Sequence, residues 1–369
     1  MRILYVTTIS LTMNSFFLPH IEMLVGEGHH VDIACNINGL PLNQHYAELG
    51  CNLYQIDFSR SPFSMDNVKA YGQLKKVVED GSYDIVHCHT PNAAVITRLV
   101  CRKFRKKNGL KVFYTAHGFH FYKGAPKLNW MVFYPIERLC SRFTDKLICI
   151  NQEDYALAKN RFYAKEVCYV PGVGIDLSRF EDIHVDRAEK RREIGVPMDA
   201  FMMLSVGELN ENKNHQLIVR AMAKLNNKNI HYVICGVGDK HDCLLDLARE
   251  LGVSEQLHLL GYRKDVPELN QTADLFCFPS IREGLSVSVM EAMACGLPVV
   301  CSRIRGNTDL IDTCGGAHFD SHNVEEALAA VESMLDRDRA EMAAYNRKKI
   351  SDFSVQRILV LMNQIYEKG

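Results

Sequence analysis

Short apolar runs ending in small or polar residues recur at 3–8, 31–35, 53–56, 85–89, 112–116 and 147–150, with helical patterns between them. That alternation is βαβ repetition. Between the first two runs Leu18, Ile21, Leu24 and Val25 recur at helical spacing and Gly26 and Gly28 end the segment, so one helix is expected to cross between parallel strands. After Val170-Pro171-Gly172 comes a charged, poorly apolar stretch at 181–192, then a second series at 202–206, 232–235, 257–260, 275–278 and 298–301. A domain boundary near residue 180 follows. Ile358, Leu361, Met362 and Ile365 form an i, i+3, i+4, i+7 stripe, the mark of an amphipathic helix. The chain therefore reads as α/β, two Rossmann-like doubly wound domains at 1–180 and 181–350, with a C-terminal helix in 351–369 able to pack back on the N-terminal domain. Facing each other, such domains would meet in a cleft at the carboxyl ends of their strands, where open parallel sheets bind ligands.

Composition narrows the class. At 369 residues the chain exceeds one ordinary core, and 47% hydrophobic with 24% charged residues excludes disorder. The thirteen cysteines show neither Cys-x-x-Cys nor zinc-type spacing and several sit inside strand-like runs, so they read as buried thiols of a reducing compartment. Thr7, Thr8 and Ser10 interrupt the first apolar run, which suits a strand better than a signal peptide, and no eighteen apolar residues run together. A cytoplasmic protein, peripheral at most on the inner face of a membrane, is expected. Residues 1–180 carry 21 Lys/Arg against 15 Asp/Glu and the remainder 22 against 29. Arg102, Lys103, Arg105, Lys106, Lys107 and Lys111 supply much of the first excess, a cluster suited to phosphates or an anionic membrane, or simply a solvated helix end. Nothing else points to nucleic acid.

The richest chemistry lies at 282–296. A strand ending at Pro279-Ser280 leads through a loop to a helix N-terminus, where the backbone N–H groups from Gly284 to Val287 would face a diphosphate with the helix dipole behind them. Glu283 and Glu291 bracket that site, and carboxylates accept well from sugar hydroxyls. Either Glu alone reads equally as a surface acid. Lys213, between a strand end and the next helix, is a cation placed for phosphate, although an isolated loop lysine would mean little. Gly236-x-Gly238 is more often structural than functional, and the absence of Gly-x-Gly-x-x-Gly disfavours a dehydrogenase. His117 ends a strand in Thr115-Ala116-His117-Gly118, a sugar-orienting or a satisfied core histidine. His87 and His89 carry the core reading more strongly and lack a third partner for zinc.

The segment 282–296 resembles the signature of family 4 glycosyltransferases, retaining enzymes of the GT-B fold, in its Glu-x7-Glu spacing with Gly after the first Glu and Ala after the second. The resemblance implies that Glu283 faces the transferred sugar, Glu291 binds the ribose hydroxyls, and the amides of Gly284, Leu285 and Ser286 hold phosphate and sugar hydroxyls. It implies that Lys213 stabilises the leaving diphosphate, that His117 touches the donor sugar, and that the turn Gly261-Tyr262-Arg263 meets the base. Leu285 stands where relatives carry Phe or Tyr. Glu208 stands in the donor site where the family usually has Arg, so either another cation such as Arg282 or Arg305 compensates, or the donor geometry differs, or activity is low. Met13-Asn14-Ser15-Phe16 replaces the family's paired glycines in the loop after the first strand.

The run 115–154 with Arg303-Ile304-Arg305-Gly306-Asn307 looks most like bacterial exopolysaccharide or capsule enzymes. The expected reaction moves a hexosyl group from a nucleotide-sugar, UDP-linked, to a polyprenyl-diphosphate-linked glycan, with no metal and no cofactor. Phe119, Phe121, Tyr122, Trp130, Phe133 and Tyr134 beside Lys123 and Lys127 suit a membrane interface or a lipid-linked acceptor, or a helix packed inside the first domain. Two alternatives are a non-catalytic nucleotide-sugar-binding partner, which Glu208 keeps open, and a nucleotide-sugar 2-epimerase.

Overall fold

The computed structural model describes residues 1–367, and the chain divides into two compact units, Met1–Gly174 with the C-terminal segment from Val355, and Ile175–Ser354. In the first, β1 (Arg2–Ile9), β2 (His30–Asn36), β3 (Leu53–Gln55), β4 (Ile85–His89), β5 (Lys111–Ala116), β6 (Lys146–Cys149) and β7 (Glu166–Tyr169) form one parallel sheet. The order is β3-β2-β1-β4-β5-β6-β7, so the winding reverses between β1 and β4. Period-two alternation sorts β1 to the two faces: Leu4 and Val6 join the core containing Val86 and Val112, while Ile3 and Tyr5 join Phe17, Ile33 and Phe113. Helices cover both faces, which is why these strands are apolar throughout and not alternating.

The helix Val355–Glu367 packs on this first unit, its Ile358, Met362 and Tyr366 lying in the same cluster as Ile3 and Tyr5. Lys146 Nζ donates to the Ile365 carbonyl at 2.6 Å. Gly174, at φ +88°, lets the chain pass Val355, whose Cα would lie 2.5 Å from any Cβ placed there.

The second unit repeats the plan with β8 (Phe201–Val206), β9 (Ile230–Cys235), β10 (Leu257–Gly261), β11 (Leu275–Phe278), β12 (Val299–Ser302) and β13 (Gly316–Phe319). The parallel order β10-β9-β8-β11-β12-β13 reverses between β8 and β11.

The edge strands β7 and β13 went unread, being four residues each and only partly buried. Two sequence expectations need correction. The segment before β2 holds two helices, Ser10–Phe16 and Leu18–Gly26, and the first takes in Met13-Asn14-Ser15-Phe16, expected as a loop. The first unit's main span closes at Gly174, short of residue 180. The charged stretch after it is an anchor of the second unit: the helix Arg187–Glu193 buries Arg191, which pairs with Asp274 at 2.7 Å and donates to the Ala200 carbonyl at 2.6 Å. Among the described residues no helix is long and apolar enough to cross a membrane.

Candidate active site

Adjacent strands whose connections wind in opposite directions bring their C-terminal loops together. In the second unit the loops after β8 and β11 are stitched by Ile281 N–H donating to the Asn212 carbonyl at 2.8 Å and Asn212 Nδ2 to the Arg282 carbonyl at 3.0 Å. Asn214, at φ +54°, donates to the Ser321 carbonyl at 2.8 Å, and Asn210 Oδ1 accepts from Lys213 N–H at 3.0 Å. This scaffold lays the Lys213 side chain across Gly207, where a Cβ would come within 3.2 Å of Lys213 Cε.

Lys213 Nζ then donates to Glu283 Oε1 at 2.7 Å and sits 4.7 Å from the Phe278 ring centroid. The two paired side chains are 20% and 16% exposed. Two residues named from separate motifs thus form one ion pair that remains open to solvent on one side.

The helix Val287–Ala294 starts at the same loop, capped by Ser286, whose Oγ accepts from Val289 N–H at 3.4 Å. The N–H groups of Gly284, Leu285, Ser286 and Val287 have no protein acceptor among the described residues, as a helix start leaves them. Gly306, at φ +78°, backs the loop so closely that a Cβ would lie 2.2 Å from the Gly284 carbonyl oxygen. Beside it Arg305, buried, donates through Nε to the Glu283 carbonyl at 3.1 Å. A cation therefore stands behind the loop in addition to Lys213. Glu291 points from the second turn, and burial raises its pKa, partly offset by Arg179 at 3.9 Å.

The remaining donor-site candidates are not in contact with the Lys213–Glu283 pair. Glu208 is exposed and accepts from Asn210 Nδ2 at 2.8 Å. Tyr262 and Arg263 follow β10, two strands from β8; Tyr262 is exposed, and Arg263 is bound by Asp265 at 2.7 Å and by Glu193. Asp265 also pairs with Lys190, so the Arg263 guanidinium belongs to a structural ion network. Gly236 and Gly238 let the chain at 207–209 cross, since a Cβ at either would lie 1.8 Å from the Gly207 oxygen or 2.3 Å from the Leu209 oxygen.

In the first unit His117 directly follows β5, and its Nε2 shares a hydrogen bond with His89 Nδ1 at 3.2 Å. His87 and His89, two apart on β4, share a face with ring centroids 4.2 Å apart. His87 in turn meets Tyr366 Oη at 2.5 Å and Thr115 Oγ1 at 2.8 Å. Burial, followed by the charge of nearby His20, holds His117 down to about 4, so the imidazole is neutral at physiological pH. The period-two spacing of His87 and His89 was the available signal for this histidine group; that His117 and Tyr366 join it is a matter of tertiary placement. Buried Phe119 and Phe121, with Trp130, Phe133 and Tyr134 packed against them, serve this unit's core, and Arg105 is taken by Asp145 in two contacts of 2.7 Å. Arg102, Lys103, Lys106, Lys107 and Lys111 are exposed.

Residues 186–349 match the profile of the glycosyl transferases group 1, and residues 2–151 that of the glycosyl transferase 4-like domain. The putative glycosyltransferase EpsD of Bacillus subtilis is 37% identical over 84% of this chain and 81% of its own. A UDP-Gal:alpha-D-GlcNAc-diphosphoundecaprenol alpha-1,3-galactosyltransferase of Escherichia coli is 24% identical over 95% and 92%. The structure of HepE from Anabaena in complex with UDP and glucose superposes with a TM-score of 0.78 at 18% identity, over the full length of both chains, which shows the shared fold. The chain is thus a glycosyltransferase of the GT-B fold and belongs to family 4.

Proposed function

We propose that this protein transfers a sugar from a UDP-sugar to a hydroxyl of a polyprenyl-diphosphate-linked glycan during surface polysaccharide synthesis, with retention at the anomeric carbon and without a metal. The observation that carries this reading is the Lys213–Glu283 pair beside four unpartnered N–H groups at a helix start. The bond from the sugar C1 to the diphosphate breaks, and the leaving oxygen takes the electron pair. Lys213, the amides of Gly284, Leu285 and Ser286, and the helix dipole stabilise its charge. The acceptor oxygen bonds C1, and its proton passes to the leaving diphosphate. Glu283 accepts from sugar hydroxyls and in doing so releases Lys213 toward phosphate. Glu291 accepts from the ribose, the backbone of Tyr262 and Arg263 pairs with the base, and His117 orients the transferred sugar with its neutral ring. Arg305 compensates for Glu208.

The acceptor class rests on relatives: the Escherichia coli enzyme and a Campylobacter jejuni N-acetylgalactosaminyltransferase, 25% identical over 81% of this chain, are both named for diphospho-undecaprenol acceptors. Work on such acceptors suits a cytoplasmic protein held at the inner membrane face through Lys106, Lys107 and their exposed neighbours. The test incubates the purified protein with UDP- and GDP-sugars, with and without polyprenyl-diphosphate-linked acceptors and EDTA, and follows nucleotide release and product mass. Acceptor-dependent release that survives EDTA is expected with a UDP-sugar, and loss of release in EDTA would overturn the metal-independent mechanism.

A further inference from the structure

The first unit contains a cavity of about 500 Å³, within the range of small-molecule sites. Its walls come from the segments that follow β1, β4 and β5, so it opens at this sheet's own reversal point. Apolar side chains dominate the lining, among them Ile9, Val95, Phe121, Val132 and Phe133. Glu137 also lines it, but both of its oxygens accept from buried Arg98, at 2.8 and 3.1 Å. Arg60 stands at the wall, exposed and without an ion-pair partner among the described residues.

Two further observations mark this cavity as built for a ligand. Thr90, in its wall, has φ +64° and ψ 139°, a strained conformation for a β-branched residue. It is held there by Thr8, whose N–H donates to Thr90 Oγ1 at 3.0 Å and whose hydroxyl meets the same atom at 2.7 Å. Second, the apolar surface does not stop at the cavity. On the helix Lys127–Cys140 the lining residues Val132 and Ile136 continue a stripe whose ends, Leu128 and Leu139, are 67% and 52% exposed, and Phe63 in the lining is 88% exposed. Against Ile9, Val95, Phe121, Val132 and Phe133 a sugar would leave hydroxyls unpaired, at a cost, although Thr8, Thr12 and Thr90 line one part of the wall. A flexible apolar chain longer than the cavity would not.

We infer that this cavity binds the first isoprene units of a prenyl diphosphate, with the diphosphate at Arg60 and the rest of the chain running out along Leu128 or Leu139. The inference rests on the lipid-linked acceptor proposed above and assigns that acceptor's lipid a protein site of its own. Trp130, the only tryptophan, packs against Phe121 at 5.5 Å between centroids and reports occupancy by its fluorescence.

Farnesyl diphosphate is expected to quench Trp130 saturably, with a Kd at least about tenfold lower than isopentenyl diphosphate or inorganic diphosphate, because each added buried methylene contributes. Val132→Phe and Val95→Phe, filling the cavity from two different helices, are each expected to erase that chain-length preference. Arg60→Gln should narrow the gap between farnesyl diphosphate and farnesol, and an unchanged gap removes Arg60 from the diphosphate. Equal Kd values for farnesyl and inorganic diphosphate, or a preference that survives both Phe variants, would overturn the assignment. If farnesyl diphosphate binds as described while no lipid-linked acceptor is glycosylated, the cavity stands and the transfer reading falls. If lipid-linked acceptors are glycosylated with no dependence of kcat/KM on prenyl length, the transfer reading stands and the cavity assignment falls.

Discussion

At the reversal between β1 and β4 the first unit leaves an apolar cavity, whereas at the matching reversal between β8 and β11 the second unit draws its loops into contact and places a charge pair on them. The sheets have the same local order, so the difference comes from the loops. After β8 and β9 the chain carries Gly207, Gly236 and Gly238, which let backbone lie on backbone and bring Lys213 over to Glu283. After β4 and β5 it carries Thr90, Phe119 and Phe121, whose bulk props the elements apart. The topology decides where a ligand can go, and residue size at the strand ends decides whether that place is a chamber or a charged shelf.

The comparison breaks most visibly by removing the charge from the shelf. Lys213→Ala should lower turnover about 10²- to 10³-fold, the usual loss for one electrostatic stabiliser of a leaving group, measured as nucleotide release at saturating donor. The thermal transition should move little, since the lysine is partly exposed.

Acid should act on the chamber side. His117 has its folded pKa lowered to about 4 against 6.5 when unfolded, so between those values the unfolded chain binds the extra proton. The stability this group contributes is whole above about pH 6.5 and is lost as pH falls toward 4, up to about 3 kcal/mol. His87 and His89 are shifted the same way by burial and adjoin it, so the protons withheld by the three neutral rings add, and the loss with falling pH is steeper than for one ring alone. Amide exchange of β4 and β5 between pH 7 and pH 4.5 measures this; protection unchanged across that range would show that the rings do not titrate together. His215 and His258 in the second unit are also held near 4, and His231, hydrogen-bonded to His258 at 2.9 Å, is shifted the same way by burial, so this unit should lose stability in acid as well.

Glycines sharpen the contrast at a smaller scale. Gly236→Ala forces a Cβ against the Gly207 oxygen and should destabilise the second unit by about 2–3 kcal/mol, while Gly72→Ala, inside the helix Asp66–Gly81 with open space around it, should stabilise the first by about 0.5–1 kcal/mol. Urea transitions of the two variants moving in opposite directions would bear this out. Smallest of all, Glu208→Arg should change turnover no more than about fivefold, an exposed charge contributing up to about 1 kcal/mol.

Much of this architecture was legible because a buried parallel strand writes itself as an apolar run. β7 and β13 were not: Glu166–Tyr169 opens on a charged residue and is nowhere fully buried, and Gly316–Phe319 contains a glycine and a histidine, so neither writes an apolar run. Lys213, Glu283 and Glu291 could be named from local chemistry, yet a contact across seventy positions, Lys213 to Glu283, is set by sheet order and no local pattern encodes it. Arg263 is a different case: the resemblance implied a backbone contact to a base, and its guanidinium is engaged by Asp265 and Glu193. Met13 to Phe16 looked like a loop because the family analogy was applied there, while the buried Met13 shows that the residues themselves favoured a helix packed on β1.

The docking of Val355–Glu367 against β1 has a consequence for how the protein is made. The second unit is spelled out in the middle of the first, so during synthesis β1 to β7 emerge long before the helix that covers Ile3, Tyr5 and Phe113. The second unit is therefore complete before that helix is made, while the earlier-made half waits with one apolar face uncovered until Tyr366 reaches His87.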